Sequence, residues 1–183
     1  MRAISEDINI HIEPSDTSFK INYSYNRGGK KSKTNEFSAQ NIGFGVSYVL
    51  PIVVAILKAC SAPRNKRIST ESKLIIIENP EAHIHPRGQA KLMELICRAA
   101  NSKYNVQFLL ETHSDHIING LLVGVKKGIL PAEKSRVYFF DRDKETHNTT
   151  AHLLPVLQGG KIKKAPKGFF DQLSIDMTTL MGF

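Results

Sequence analysis

The stretch that most constrains this chain is residues 74–86, L-I-I-I-E-N-P-E-A-H-I-H-P. Leu74, Ile75, Ile76 and Ile77 form a short, mostly β-branched run with polar residues on both sides. A run of that length predicts a strand buried on both faces, as in a parallel sheet. Pro80 stops it, because proline has no N–H to give a ladder. Glu78, Asn79 and Glu81 therefore fall at the carboxyl end of a parallel strand, where α/β proteins place their ligands. His83 and His85 follow as an H-x-H pair, and Pro86 opens the next helix. A second strand, N-V-Q-F-L-L, runs out into Glu111, Thr112, His113, Ser114, Asp115 and His116. Two apolar strands, each ending in acid and imidazole, carry the functional content of the sequence.

The rest of the chain organises around them. Alternation in I-N-I-H-I-E and F-K-I-N-Y-S-Y, about the turn-rich E-P-S-D-T-S, predicts an N-terminal β-hairpin with one buried face. Residues 25–40 are polar and basic and read as a loop. An apolar helix over residues 46–60 follows, with Pro51 near its start. The 74–78 strand leads to a helix over 86–100, in which Leu92, Met93, Ile96 and Ala99 make one core-facing stripe. The 105–110 strand leads to a helix over 114–125, with Ser114 and Asp115 as candidate caps. Strands over 136–140 and 149–154 come next, and the tail G-F-F-D-Q-L-S-I-D-M-T-T-L-M reads as a short amphipathic helix that docks. Strand–helix–strand–helix–strand predicts an α/β fold, a parallel sheet flanked by helices with right-handed crossovers. We expect one domain over 1–183: hairpin and basic loop at 1–40, core at 41–125, strands and tail helix at 126–183.

Composition narrows the classes. No apolar run approaches the roughly 18–20 residues a bilayer span needs, and the start M-R-A-I-S-E-D-I lacks a secretion h-region. Cys60 and Cys97 lie in apolar helical patterns and read as buried free thiols, so a cytoplasmic protein with no membrane partner is expected. The net charge of +8 gathers in residues 27–33, Lys126-Lys127 and residues 161–167. Such patches suit a phosphate backbone, or simply solvated loops. They lack the interleaved aromatics or fold signature that sequence-specific DNA reading needs.

Gly43-Phe44-Gly45-Val46-Ser47 is the third constellation. Its glycines let a backbone approach a ligand, the helix behind them offers unpaired N–H groups, and Ser47 adds a hydroxyl. The arrangement suits a phosphate, and equally a plain tight turn. Glu78 is placed to hold magnesium through water. Asn79 or Glu81 is placed to orient a water, and His113 to contact a terminal phosphate.

Taken in order, G-F-G-V-S-Y-V-L-P-I, I-I-I-E-N-P-E-A-H-I-H-P, F-L-L-E-T-H-S-D-H-I-I and K-G-F-F-D resemble the carboxyl-terminal half of a bacterial ABC-type AAA ATPase head. The group resembled is the one related to the overcoming-lysogenization-defect (OLD) proteins, and chromosome ATPases of the SMC type are similar at greater distance. The resemblance implies a P-loop NTPase fold and the cofactors ATP and Mg2+. It implies that Gly43, Gly45, Val46 and Ser47 form a signature motif serving the partner's γ-phosphate across a head-to-head dimer. Glu78 would be the Walker B acid, His83 and His85 part of the D-loop, and His113 the switch histidine. Asn79 stands where this family carries its catalytic glutamate, with Glu81 as the candidate substitute. Implied partners are a second copy, nucleic acid or a nuclease effector, in DNA transactions or anti-phage defence.

No G-x-x-x-x-G-K-S/T occurs in the sequence, and G-G-K-K-S at residues 28–32 has lysine where the serine or threonine belongs. A Walker A-bearing segment or chain is therefore an expected partner, and the chain alone is expected to be inactive. Three other readings stand beside this one. A metal-dependent hydrolase would use His83, His85, His113 and His116 with Glu78, Glu81 and Glu111. A TOPRIM-like nuclease would use Asp141 and Asp143, although D-R-D also reads as a strand-to-turn exit. A non-catalytic dimerisation or DNA-clamping module would use Asn79 as a slow switch.

Overall fold

Side chains that alternate in I-N-I-H-I-E-P and F-K-I-N-Y-S-Y pair as an antiparallel hairpin in the computed structural model, which describes residues 8–14, 19–25, 37–38, 44–61, 72–163 and 165–182. Strand β1 (Ile8–Pro14) runs against β2 (Phe19–Tyr25), with Ile8 opposite Tyr25 and Pro14 opposite Phe19. Tyr23 and Ser24 are both buried although they point to opposite faces of β2. On its other edge β2 pairs with β3 (Phe37–Ser38), which runs antiparallel to Asn22 and Tyr23. This strand lies inside the segment expected to be loop. Two residues are too short to show any period, so only the pairing reveals it.

Helix α1 (Phe44–Ala59) begins earlier than its apolar pattern suggests, which puts Pro51 in its interior. Proline there withholds the N–H that the carbonyl four residues earlier would accept. Val49, Val53 and Ile56 form the buried stripe, while Tyr48, Val54 and Leu57 are exposed. Strands β4 (Lys73–Glu78) and β5 (Val106–Glu111) pair in parallel, from Lys73 opposite Val106 to Glu78 opposite Glu111. Between them runs α2 (Pro86–Ala100), buried along Gln89, Leu92, Met93, Ile96, Cys97 and Ala99. The β4–α2–β5 unit bears out the expected α/β architecture with parallel strands. Helix α2 packs on β5 and α1 on β4.

The sheet departs from expectation in one respect. Ile75, Ile77, Val106, Phe108 and Leu110 face the helices, but Leu74 (59% exposed), Ile76 (62%) and Leu109 (59%) do not. Alternation places Glu78 and Glu111 on that same outer face. The run was read as buried on both sides, yet among the described residues only one side is covered.

Helix α3 (Asp115–Lys126) starts as predicted. The Ser114 hydroxyl accepts the amides of His116 (3.1 Å) and Ile117 (3.4 Å), which makes it the cap. Ile117, Leu121 and Val125 are buried. A Cβ on Gly120 would come within 2.8 Å of Met93 Cβ, so glycine sets the close approach of α3 to α2. The chain divides into two compact units, Met1–Gly120 and Leu121–Phe183.

In the second unit a 3-10 turn (Ala132–Lys134) precedes β6 (Val137–Arg142). Expected as a third parallel strand, β6 pairs antiparallel with β7 (Thr149–Leu154). The turn between them explains the reversal. Asp143 Oδ1 accepts the Glu145 amide (3.0 Å), the Thr146 amide (2.6 Å) and the Thr146 hydroxyl (2.9 Å). These bonds hold the Asp143 carboxyl below its ordinary pKa. The D-R-D segment is thus the strand-to-turn exit, and Asp143 serves the turn. Short strands β8 (Val156–Leu157) and β9 (Lys161–Ile162) pair antiparallel. Phe139 meets Phe169 edge-on at 5.8 Å. The tail helix α4 (Gln172–Leu180) forms where expected but buries no residue; Leu180 is 82% exposed. Its apolar positions were read as a docking face, and among the described residues nothing receives them. No helix of the described residues is long and apolar enough to cross a membrane. Both cysteines are free. Burial pushes the Cys97 thiol up to about 11, with nearby Glu94 adding to the effect.

Candidate functional site

The turn over residues 79–85 is the hub of the first unit. The Asn79 amide donates to the Glu111 carbonyl at 3.0 Å, one step beyond the β4–β5 pairing. The turn closes through Ala82 N–H to Asn79 O (3.0 Å) and Ile84 N–H to Glu81 O (3.1 Å). Asn79 has φ 46° and His83 φ 59°. Both lie in the left-handed region, which asparagine enters more readily than most residues. The turn geometry therefore gives a physical reason for an amide at position 79 independent of any chemistry there.

Glu81 reaches from this turn to the end of β5. Its Oε2 accepts the Thr112 hydroxyl at 2.6 Å and its Oε1 accepts the His113 amide at 2.8 Å. Burial raises the Glu81 pKa, but these bonds, with a further one from the Asn79 side chain, outweigh it and hold the carboxyl below its ordinary value. Glu81 thus fastens the backbone at His113 to the turn. Replacing it with alanine strands these donors, at a cost of about 1 kcal/mol because the site is part-exposed. A group whose folded pKa is lowered contributes stability above its unfolded pKa and loses it as pH falls through the folded value. The urea midpoints of wild type and Glu81→Ala should differ near neutral pH and converge only once the pH has fallen through the lowered folded-state value of Glu81. Amide exchange at His113 should quicken in the variant.

The other residues cluster unequally around the hub. His113 Nε2 lies 2.9 Å from Glu111 Oε1. Ser114 is buried and donates its hydroxyl to Gln89 Oε1, while Gln89 Nε2 donates to Ile84 O at 2.8 Å, so α2 braces both the turn and the β5 exit. His85 caps α2, its Nδ1 accepting the Arg87 amide at 3.3 Å. Glu78 is exposed at the end of β4, opposite Glu111.

The N-terminus of α1 joins from the other side. A Cβ on Gly45 would stand 2.5 Å from the His83 carbonyl oxygen, so only glycine permits this approach. The Tyr48 ring tilts against His83 at 4.9 Å between centroids. Val46 is half-buried and Ser47 is exposed. Gly43, like the basic cluster at 27–33, lies outside the described residues. Of the residues singled out in the sequence, Gly45, Asn79, Glu81, His83 and His113 are linked through the turn and the β5 exit. Gln89 and Tyr48 were overlooked, while Glu111 and Thr112 were placed in the cluster at the strand end without the roles they hold here. The E-T-H-S order was the available signal for Glu111 and Thr112; nothing in the sequence marked Gln89 or Tyr48.

Among the described residues no three histidine, cysteine or acidic side chains converge as a metal site. The histidine–glutamate set of a metal-dependent hydrolase is dispersed into caps, turns and pairs. A single exposed carboxylate such as Glu78 still fits magnesium, which takes one or two carboxylates together with water and substrate phosphates.

Parallel strands ending in acids beside a histidine-bearing loop, with helices on one face, make an α/β unit. A solved structure described as "Structural biochemistry of ATP-driven dimerization and DNA stimulated activation of SMC ATPases" is similar to the protein, with a TM-score of 0.58 over 97% of this chain and 85% of that one at 10% identity. The likeness is one of fold. The family is set by the sequence itself: residues 3–119 match the family described as AAA domain, putative AbiEii toxin, Type IV TA system, and the chain belongs to it. Residues 130–180 match a second family, described as a protein of unknown function (DUF3696). No curated protein matches the chain. The first match coincides with the Met1–Gly120 unit, and the second falls within Leu121–Phe183.

Proposed function

We propose that this chain is the signature and Walker B half of an ABC-type ATPase head of the OLD-like group, using ATP and Mg2+ at a head-to-head dimer interface. The observation that carries this reading is the convergence on one turn. The end of β4, the loop after β5 and the N-terminal turn of α1 all meet residues 79–85. Magnesium, when held by Glu78 through water, supplies neutralisation of phosphate charge. Ser47, exposed in the first turn of α1, adds a hydroxyl to the positive end of the helix, suited to a phosphate from a partner head. Glu81 holds the His113 backbone in place, and Asn79 and His113 handle the water. Donors aimed at the transferring phosphoryl group are the main aid this site offers.

The phosphate cradle would come from a Walker A-bearing segment or chain. The solved structure similar in fold is described through ATP-driven dimerization and DNA-stimulated activation. We extend both to this protein as a cytoplasmic dimer acting in bacterial DNA transactions or anti-phage defence, with nucleic acid or a nuclease effector as partner. The test is turnover and association with ATP and magnesium. The purified 183-residue chain should release no phosphate from ATP, whereas a head completed with the Walker A half should dimerise and hydrolyse. Turnover by the chain alone, lost in Glu78→Gln, would refute the split; no ATP-dependent association of the completed head would refute the dimer.

A further inference from the structure

We infer that Glu111 is a positioning residue for His113, holding the imidazole by Nε2 so that Nδ1 is the ring nitrogen offered to substrate; this rests on the nucleotide reading of the site. The His113 side chain is 81% exposed, so packing does not orient it. What orients it is Glu111 Oε1, 2.9 Å from Nε2. The other oxygen, Oε2, accepts the Asn79 amide at 3.3 Å, and that amide also donates to the Glu111 carbonyl at 3.0 Å. One carboxylate therefore ties the ring to the end of β4. Glu81 meanwhile ties the backbone of the same histidine to the turn. Two acids divide the work, one holding the main chain and the other the ring.

The consequence lies in which nitrogen carries the proton. A carboxylate only accepts hydrogen bonds, so a neutral ring held by Glu111 has its proton on Nε2 and a lone pair on Nδ1. Such a ring can accept a hydrogen bond from water at Nδ1. It donates to a phosphate oxygen there only when it is charged. Glu111 thus directs the neutral ring toward the water, at a site where Asn79 supplies no carboxylate. Because an exposed pair adds little to stability, the contribution of Glu111 is orientation.

Ring 13C relaxation of His113 in the 183-residue chain, without nucleotide, tests this directly. The ring should be ordered in wild type and mobile in Glu111→Ala at unchanged Tm, while Glu111→Gln, which keeps a carbonyl oxygen, should retain most of the order. In the completed head with ATP and magnesium, Glu111→Ala should lower kcat by roughly 10- to 100-fold at constant KM, with partial recovery in Glu111→Gln. Equal ring mobility in wild type and Glu111→Ala overturns the inference, as does a change confined to KM. An ordered wild-type ring released by Glu111→Ala, in a head that never hydrolyses ATP, instead overturns the nucleotide reading and leaves the clamp standing.

Discussion

Glu78→Gln, placed in a head completed with its Walker A half, is expected to reduce ATP turnover by roughly 100-fold or more while leaving the fold intact. Glu78 ends β4 on the outer face of the sheet and is exposed, so the substitution disturbs no core packing. Glutamine keeps the shape and an oxygen but removes the charge that a hard divalent cation needs. Phosphate release should fall at unchanged Tm. The loss should be in kcat if the metal acts chiefly on the transferring phosphoryl group, and in KM if it chiefly anchors the nucleotide. Turnover within a factor of two of wild type would remove Glu78 from the site.

The largest stability effect should come from Leu92→Ala. Leu92 is 0% exposed at the centre of the α2 stripe, beside Met93 and Ile96. Removing its branched end deletes buried methyl groups and leaves a cavity, at a cost of about 3 kcal/mol. For a chain of this size that corresponds to a fall in Tm of about 10 °C. Leu109→Ala is the informative control. Leu109 is 59% exposed on the uncovered sheet face, so in the isolated chain its loss should cost under about 0.5 kcal/mol. Thermal unfolding of the two variants side by side checks both; equal destabilisation would mean that the outer face is packed in solution.

Much of the fold was legible because it rests on local periodicity. The helical stripe of α2, the β-branched run of β4 and the Ser114 cap each reflect interactions within a few residues. The motif order likewise marked Gly45, Glu78, Glu81 and His113 before any pairing was known. Expectations failed where the outcome depended on distant partners. Strand β6 reads the same whether it joins a parallel sheet or turns back on β7, and three hydrogen bonds to Asp143 Oδ1 favour the second. An apolar run cannot reveal whether one or both of its faces will be covered, and Leu74, Ile76 and Leu109 remain exposed. The apolar side of α4 announces a docking face without its receiver.

At the site the division is sharper. The sequence by itself determined which chemical groups stand at the strand ends, since proline and the limits of each apolar run fix where a strand must stop. Tertiary structure alone decided what those groups do to one another. Glu81 became a fastening for the His113 backbone, and Glu111 became the partner of its ring. A side chain's role is set by which donors come within about 3 Å of it, and that depends on parallel pairing between strands that are remote along the chain.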